Sequence, residues 1–165
     1  MTQDQHLMPS IHQGWYEYQQ TLIEALTPLT LEQLGLRPAP DLLSVGEIAV
    51  HIVQTRAAWF YFIMGDGGEE FKTIGKWKVR EEISGNKEEI LKGLETTWTR
   101  MQEIIKGWTA EDWEMTWPDE EDESTPDNLT RPWIIWHLIE HDLHHGGEIS
   151  IILGAHGLGG LKLSD

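Results

Sequence analysis

The feature that most constrains the fold of this chain is a long amphipathic stretch near its C-terminal end, between Arg131 and the glycines that begin at Gly154. Apolar side chains recur there at intervals of three and four residues, the spacing of one helix face, and two histidines continue the same row. The predicted core-facing row contains Ile134, Leu138, His141, His145, Ile149 and Ile152. A helix with such a row needs other elements to cover it, so this stretch predicts a packed helical domain.

The two histidines in this row indicate a metal site. His141 and His145 lie one helical turn apart, so their imidazoles point the same way with Cβ atoms about 6 Å apart. Both can then reach one metal ion at about 2.0–2.1 Å, the usual zinc–nitrogen distance. The alternative is a pair of hydrogen-bonded core histidines. That alternative needs partners for every ring nitrogen, because an unsatisfied buried polar group costs about 1–3 kcal/mol.

Spacing alone does not select this pair, because four of the eight histidines lie within residues 137–145. His137 and His141 are also four residues apart. The apolar row decides between the two pairs, since His137 and His144 fall on a neighbouring row at its flank. We therefore predict that His141 and His145 are the ligands.

Three further amphipathic helices are predicted upstream. The first begins at a capping box with Ser10 as N-cap and ends at Pro28. The second begins at a capping box with Ser44 as N-cap and runs to about Met64. The third is capped by Asn86. Four such helices with short to medium connections predict an all-α four-helix bundle.

The bundle is expected to be a single domain spanning residues 1–165, a length that can bury a substantial core. Residues 69–85 are interpreted as a long loop with one helical turn between the second and third helices. An acidic loop is predicted at residues 117–127. Thr130 and Pro132 mark the start of the fourth helix. No segment predicts a strand.

The charge of the chain excludes some classes of ligand. The net charge is −16, and residues 111–127 contain nine acidic side chains and no lysine or arginine. Phosphate recognition needs clustered basic residues, so we expect neither nucleic-acid nor membrane partners. The acidic run at residues 119–123 lacks the spaced Asp/Asn–Gly pattern of a calcium loop, and a solvated loop is the preferred interpretation.

The chain contains no cysteine. Disulfides, thiolate metal sites and a cysteine nucleophile are therefore excluded, which fits a reducing compartment. The N-terminal residues do not resemble a signal peptide, and no stretch approaches about 20 apolar residues. We expect a cytoplasmic protein.

His51 is the best candidate for a third ligand, because it is the only histidine in the middle of another long predicted helix. Three neutral imidazoles leave a fourth coordination position open, as in catalytic rather than structural sites. That position would hold a water whose pKa the metal lowers toward about 7.

Three charged residues near these histidines, Glu148, Arg56 and Glu47, could have functional or structural roles. Glu148 could act as a general base, or as a hydrogen-bond partner for a ligand imidazole, or it could be a solvent-facing charge. Arg56 could bind an anionic group or a thiolate, but a surface position is favoured. Glu47 is already explained by the capping box that it forms with Ser44.

Two apolar features also bear on the site. Trp59, Trp133 and Trp136 could wall an apolar pocket near the metal. Gly146 and Gly147 lie inside the fourth helix, where each costs about 1 kcal/mol relative to alanine. This cost indicates close approach of another helix, a subunit or a substrate at these positions.

Short motifs resemble the DinB/YfiT-like family of four-helix metalloproteins. One is the Ser-x-x-Glu-x-x-x-His pattern from Ser44 to His51, preceded by Arg-Pro at residues 37–38. The other is the Glu-His-Asp-Leu-His-His-x-Gly core within residues 136–149. The resemblance spans nearly the whole chain. It implies that one histidine of the second helix and an H-x-x-x-H pair of the fourth hold the metal, here His51, His141 and His145. Glu148 departs from the pattern, in which glutamine is more usual.

The resemblance implies a metal-dependent hydrolase, or a transferase that activates a low-molecular-weight thiol for attack on a small-molecule substrate. Zinc or nickel suits three imidazoles, while iron and manganese stay open. The resemblance also implies a homodimer. Two alternatives remain: a non-catalytic metal- or small-ligand-binding protein related to stress, and a purely structural bundle.

Overall fold

The protein is an all-α four-helix bundle, as predicted. The structure, a computed structural model, describes residues 4–118 and 128–163. The helices of this part of the chain are α1 (Asp4–Leu26), α2 (Leu31–Leu34), α3 (Val45–Ala58), α4 (Gly68–Ile74), α5 (Lys87–Gly107), α6 (Ala110–Trp113) and α7 (Arg131–Ala155). The bundle is formed by the four long helices α1, α3, α5 and α7.

Three of the four predicted helix starts are confirmed by hydrogen bonds at the caps. The side chains of Ser44, Asn86 and Thr130 each accept a backbone N–H from the first turn of α3, α5 and α7, respectively. The prediction for α1 is wrong, because this helix begins at Asp4 and Ser10 lies inside it. Residues 5–8 are compatible with a helical backbone, so the helix extends to the N-terminal side of the capping signal.

The segment between α3 and α5 is more ordered than the loop predicted for residues 69–85. It contains the seven-residue helix α4 and a 3₁₀ turn at Glu82–Gly85. Phe71 and Ile74 are buried in the core and give α4 a packed face. Two apolar positions in a segment rich in charge and glycine were too weak a pattern to predict this helix.

The prediction that the chain has no strand is also wrong. Strands β1 (Thr116–Pro118) and β2 (Asn128–Thr130) pair antiparallel on either side of the acidic segment, with Thr116 opposite Thr130. Each strand has three residues, which is too short for an alternating pattern to be recognised. Residues 119–127, which include most of the predicted acidic loop and the calcium alternative, lie outside the described residues.

A π-helical turn at Trp59–Ile63 continues α3. The Met64 N–H donates to the Trp59 carbonyl at 3.2 Å, an i to i+5 bond that adds one residue to the turn. The wider turn changes which aromatic side chains face the core. Phe60 is fully buried, whereas Phe62 is 50% exposed.

The core is arranged around α3, which packs against both α5 and α7, while α1 covers α5 and α7. Eleven of the fourteen residues of α3 are buried, so little of its surface meets solvent. His51 is one of the three exceptions. Because α3 and α7 are neighbours, side chains halfway along the two helices can meet.

Among the described residues, no helix combines the length and the apolar character needed to cross a membrane.

Candidate metal centre

Three imidazoles meet halfway along the interface between α3 and α7. The ring centroid of His51 lies 4.7 Å from that of His141 and 4.7 Å from that of His145. The rings of His141 and His145 are 4.4 Å apart. The Nε2 atoms of His51 and His141 are separated by 3.1 Å. The structure therefore brings together the three residues that the sequence selected, and each is half-buried.

Apolar residues on both sides of the histidines set the rotation of the two helices. On α7, Leu138 precedes the histidine pair and Ile149 follows it, and both are fully buried. On α3, Ile48 and Ile52 are buried on either side of His51. Burial of these side chains requires the two helices to present their histidines to each other.

Glu148 fixes the proton of one imidazole. Its Oε2 atom lies 2.6 Å from Nδ1 of His145. A carboxylate only accepts hydrogen bonds, so Nδ1 of His145 carries the N–H and Nε2 is the atom left to bind an ion. This arrangement of carboxylate and imidazole is the one that orients histidine ligands in metal proteins.

The other two imidazoles are held less firmly through Nδ1. The Nδ1 atom of His51 lies 3.4 Å from Oγ1 of Thr55, one turn further along α3. The Nδ1 atom of His141 is buried and has no hydrogen-bond partner within residues 4–118 and 128–163. The ring of His141 is therefore held by packing and through Nε2, the atom that faces His51.

Burial keeps these imidazoles in the form that binds metals. It lowers the pKa of His51, and the nearby His145 lowers it further. Burial together with the neighbouring His145 and His51 lowers the pKa of His141 to about 3. Both rings are thus neutral near pH 7, and their lone pairs are available without loss of a proton.

The arrangement fits one tetrahedral ion. Two nitrogens bound to the same zinc ion at its usual bond length and tetrahedral angle are about 3.3 Å apart. The 3.1 Å between the Nε2 atoms of His51 and His141 is close to that value. The donor set is three imidazole nitrogens with no thiolate, which suits zinc, copper, nickel or iron. The site has donors for three positions of a four-coordinate ion.

The histidines predicted at the flank lie beside this cluster. The ring of His137 stacks on Trp133 at 5.2 Å and contacts Trp59 at 4.6 Å. The Nε2 atom of His144 lies 3.7 Å from Glu148, and most of its side chain is exposed. Trp59 and Trp133 thus pack against His137.

A shallow groove of about 540 Å³ reaches the cluster from solvent. Its lining includes His141, the 56% exposed Trp136 and Leu143, and none of the lining residues is lysine or arginine. A small apolar or uncharged molecule can therefore reach the imidazole of His141 from this side.

The prediction that Arg56 is a surface residue is wrong. The side chain is fully buried, and Nη2 lies 2.6 Å from Oδ2 of Asp142. The alternative role at an anionic substrate also fails for this conformation, because Asp142 already occupies the guanidinium. The favoured interpretation of Glu47 is consistent with the structure, since its carboxylate accepts the Ser44 N–H at 2.8 Å.

Sequence reasoning missed Asp142, which is fully buried on α7. A signal was present. A second buried row of α7 contains one carboxylate: Ile135, Ile139, Asp142, Gly146, Ile149 and Leu153. A lone carboxylate in such a row indicates a buried partner. That partner, Arg56, lies on another helix and could not be identified from the pattern.

Close packing explains one of the two adjacent glycines of α7. A Cβ atom on Gly146 would lie 2.1 Å from the hydroxyl of Tyr18, which donates to the Leu143 carbonyl at 3.2 Å. The predicted close approach at this position is therefore that of α1. A Cβ atom on Gly147 would meet nothing within 4 Å, and nothing in the structure explains this glycine.

Comparisons with known proteins agree with this architecture. The family model of the DinB superfamily matches residues 15–149. The crystal structure of a DinB-like protein from Bacillus cereus is similar, with a TM-score of 0.71 and 20% sequence identity. The alignment covers 93% of this chain and 95% of that chain. At this identity the likeness shows the fold alone. A search of curated proteins found no match.

Proposed function

The chain belongs to the DinB superfamily, and from this premise we propose that it is a metal-dependent enzyme with His51, His141 and His145 as the metal ligands. The observation that carries the proposal is the convergence of three imidazoles from two helices, with two Nε2 atoms 3.1 Å apart. Zinc or nickel is the proposed ion. We propose two candidate reactions at this site. One is hydrolysis, and the other is the attack of a low-molecular-weight thiol on a small electrophile.

A bound divalent ion would supply the same chemistry to either reaction, by lowering the pKa of a water or thiol and by polarising an electrophile. The protein supplies orientation and a proton acceptor. Glu148 orients His145 by accepting its Nδ1–H at 2.6 Å. Its other oxygen lies 3.7 Å from Nε2 of the exposed His144, and we propose that this carboxylate also accepts a proton during the reaction.

The groove beside His141 supports a small uncharged or weakly charged substrate. Trp136 and Leu143 offer apolar surface, and Glu140 places a carboxylate at the same edge. Arg56, the arginine of α3, is neutralised by Asp142 and does not line the groove. These features favour a substrate without a strong negative charge.

A second candidate is a non-catalytic protein that binds a metal or a small ligand. The engagement of Glu148 with His145 favours it, because a carboxylate in a short hydrogen bond to an imidazole is less available as a base. Turnover distinguishes the two candidates. Metal-loaded protein should be assayed against a panel of esters and amides, and with thiol–electrophile pairs.

The proposal is tested first by metal content. Wild-type protein without a tag should bind about one zinc or nickel ion per chain after incubation with the ion and gel filtration. Substitution of His51, His141 or His145 by alanine should abolish or sharply weaken binding, since each removes one of three protein ligands.

The matched controls are His137→Ala and His156→Ala, which remove imidazoles that lie outside the cluster. Both should retain the metal. Equal loss of metal from His137→Ala would show that the wrong pair on α7 has been chosen. No binding by wild type would refute the metal site altogether.

We also propose that the protein is a homodimer, which sedimentation velocity can test directly.

A further inference from the structure

A fully buried ion pair joins the two helices that carry the histidine cluster. Arg56 on α3 and Asp142 on α7 both have 0% side-chain exposure. Nη2 of the arginine donates to Oδ2 at 2.6 Å, and Nε lies 3.1 Å from both carboxylate oxygens. The pair is bidentate, a geometry that fixes direction as well as distance.

The other two long helices join the same network. The Trp15 indole N–H of α1 donates to Oδ2 of Asp142 at 2.7 Å. Nη1 of Arg56 donates to Oε1 of Gln19 at 2.8 Å, and Nε2 of Gln19 donates to the Leu94 carbonyl of α5 at 3.1 Å. One polar network therefore links all four helices of the bundle.

The network lies at the same level of the bundle as the histidines. Asp142 directly follows His141 in the sequence, and Arg56 directly follows Thr55, whose hydroxyl contacts Nδ1 of His51. A rotation or slide of α3 against α7 that misplaced the imidazoles would also break the bidentate pair. The pair therefore restricts the rotation and translation of α3 relative to α7, and these determine the separation of the ligand nitrogens.

Stability alone is a poor explanation for such a pair. Removing two charges from water is costly, and apolar residues of similar size are often as good or better for stability. A buried pair can instead select one arrangement of its helices. The histidine cluster depends on one fixed arrangement of α3 and α7, because Nδ1 of His141 has no hydrogen-bond partner among the described residues to hold its ring.

We propose that Arg56 and Asp142 are positioning residues of the metal centre, whose ion pair fixes α3 against α7 and so sets the metal affinity and the coordination geometry. This inference rests on the proposed metal site. Neither residue would bind the ion directly, but both would affect how tightly it binds.

The test compares wild type with the double variant Arg56→Met/Asp142→Leu, which replaces the pair by apolar side chains of similar size. The zinc dissociation constant is measured by competition with a chromogenic chelator, and the visible spectrum is recorded with cobalt in place of zinc. We expect the variant to keep its helical circular dichroism. Its zinc dissociation constant should rise about 10- to 100-fold, the usual effect of losing groups that support metal ligands. The cobalt spectrum should also change.

Met101→Ala is the matched control, because it removes a buried side chain from α5, a helix without ligands. It should lower the thermal midpoint while leaving the dissociation constant and the cobalt spectrum unchanged. Arg56→Lys is the second test variant, since it keeps the charge and loses the bidentate fork. It should fold, bind zinc more weakly than wild type and keep the cobalt spectrum closer to wild type than the double variant does.

The outcomes separate the two proposals. If wild type binds one zinc and both network variants bind it within about twofold with the same cobalt spectrum, the positioning role is wrong and the metal site stands. If wild type binds no metal, the metal site itself is wrong. If the double variant does not fold, Arg56→Lys decides, and wild-type affinity in that variant overturns the positioning role.

Discussion

At the scale of single residues, the histidines illustrate how position on a helix gives a common side chain an uncommon environment. His141 and His145 occupy places in a row otherwise filled by leucine and isoleucine, and they are half-buried beside His51. His144 lies between them in sequence but is largely exposed. These residues differ in their angular position around the axis of α7. The apolar residues on either side of the pair determine which of these positions faces the core.

The lowered pKa values of His51 and His141 predict how stability depends on pH in the metal-free protein. In the unfolded chain these imidazoles take up protons as the pH falls through about 6.5. In the folded protein they stay neutral until lower pH. The unfolded state then binds more protons, so the free energy of unfolding decreases as the pH falls from about 6.5 to about 5.

Urea unfolding of chelator-treated protein at about pH 7.5, 6.5 and 5.5 measures this dependence. The double variant His51→Gln/His141→Gln should lose less stability over this range, because neither replacement titrates. An equal slope in both proteins would show that other groups cause the effect.

The two adjacent glycines of α7 predict opposite effects of the same substitution. Gly146→Ala should lower the free energy of unfolding by about 1–3 kcal/mol, because its Cβ would lie 2.1 Å from the hydroxyl of buried Tyr18. Gly147→Ala should raise it by up to about 1 kcal/mol, since the site is open and alanine is the better helix former. Chemical denaturation measures both.

Adding Tyr18→Phe to Gly146→Ala removes the closest atom of that contact. Partial recovery of stability in this double variant is the expected control. Equal effects of the two glycine substitutions would contradict the packing explanation.

At the scale of elements, local signals determine where α3 begins, whereas contacts with other elements determine how it continues at its C-terminal end. The capping box at Ser44 starts the helix, and the sequence predicts it because both partners lie within four residues. The π turn at Trp59–Ile63 has no such local signal. It places Phe60 in the core against Phe71 at 5.8 Å and leaves Phe62 exposed, a choice that depends on residues of other elements.

The capping boxes of α3 and α6 predict unequal costs for removing similar hydrogen bonds. Ser44→Ala should lower the free energy of unfolding by about 1 kcal/mol, because it frays a helix with eleven buried residues. Thr109→Ala, at the matching cap of four-residue α6, should cost less than half as much, since no residue of α6 is buried. Guanidinium denaturation of both variants tests this difference, and equal losses would contradict it.

At the scale of the whole molecule, the dominant property is the net charge of −16. Acidic side chains exceed basic ones by more than two to one, and repulsion among them opposes the compact state. Salt screens this repulsion over distances of about 10 Å at 0.1 M. We therefore expect the thermal midpoint of metal-free protein to rise between about 0.05 M and about 0.5 M sodium chloride.

The matched control is Glu24→Lys/Glu95→Lys, which replaces two exposed carboxylates on different helices. This variant should have a smaller salt effect, because its net charge is less negative by four. Differential scanning calorimetry at each salt concentration gives the comparison. A midpoint that falls with salt would show that favourable ion pairs outweigh the repulsion.

The sequence by itself determined the features that depend on neighbours along the chain. The period of apolar residues gives the long helices and the inward face of α7, and the caps at Ser44, Asn86 and Thr130 give their starts. His141 and His145 could be paired in advance because they lie on one helix at a fixed pitch. His51 could be added by its place in the middle of α3.

Only the tertiary structure decided which groups from different helices meet. Arg56 was expected on the surface and Asp142 was not recognised, because neither charge can be buried without the other and they are far apart in sequence. The same holds for Tyr18 against Gly146, and for the short strands that pair across the acidic segment. Helical pitch is a local property of the backbone, whereas the pairing of buried charges depends on how the helices pack.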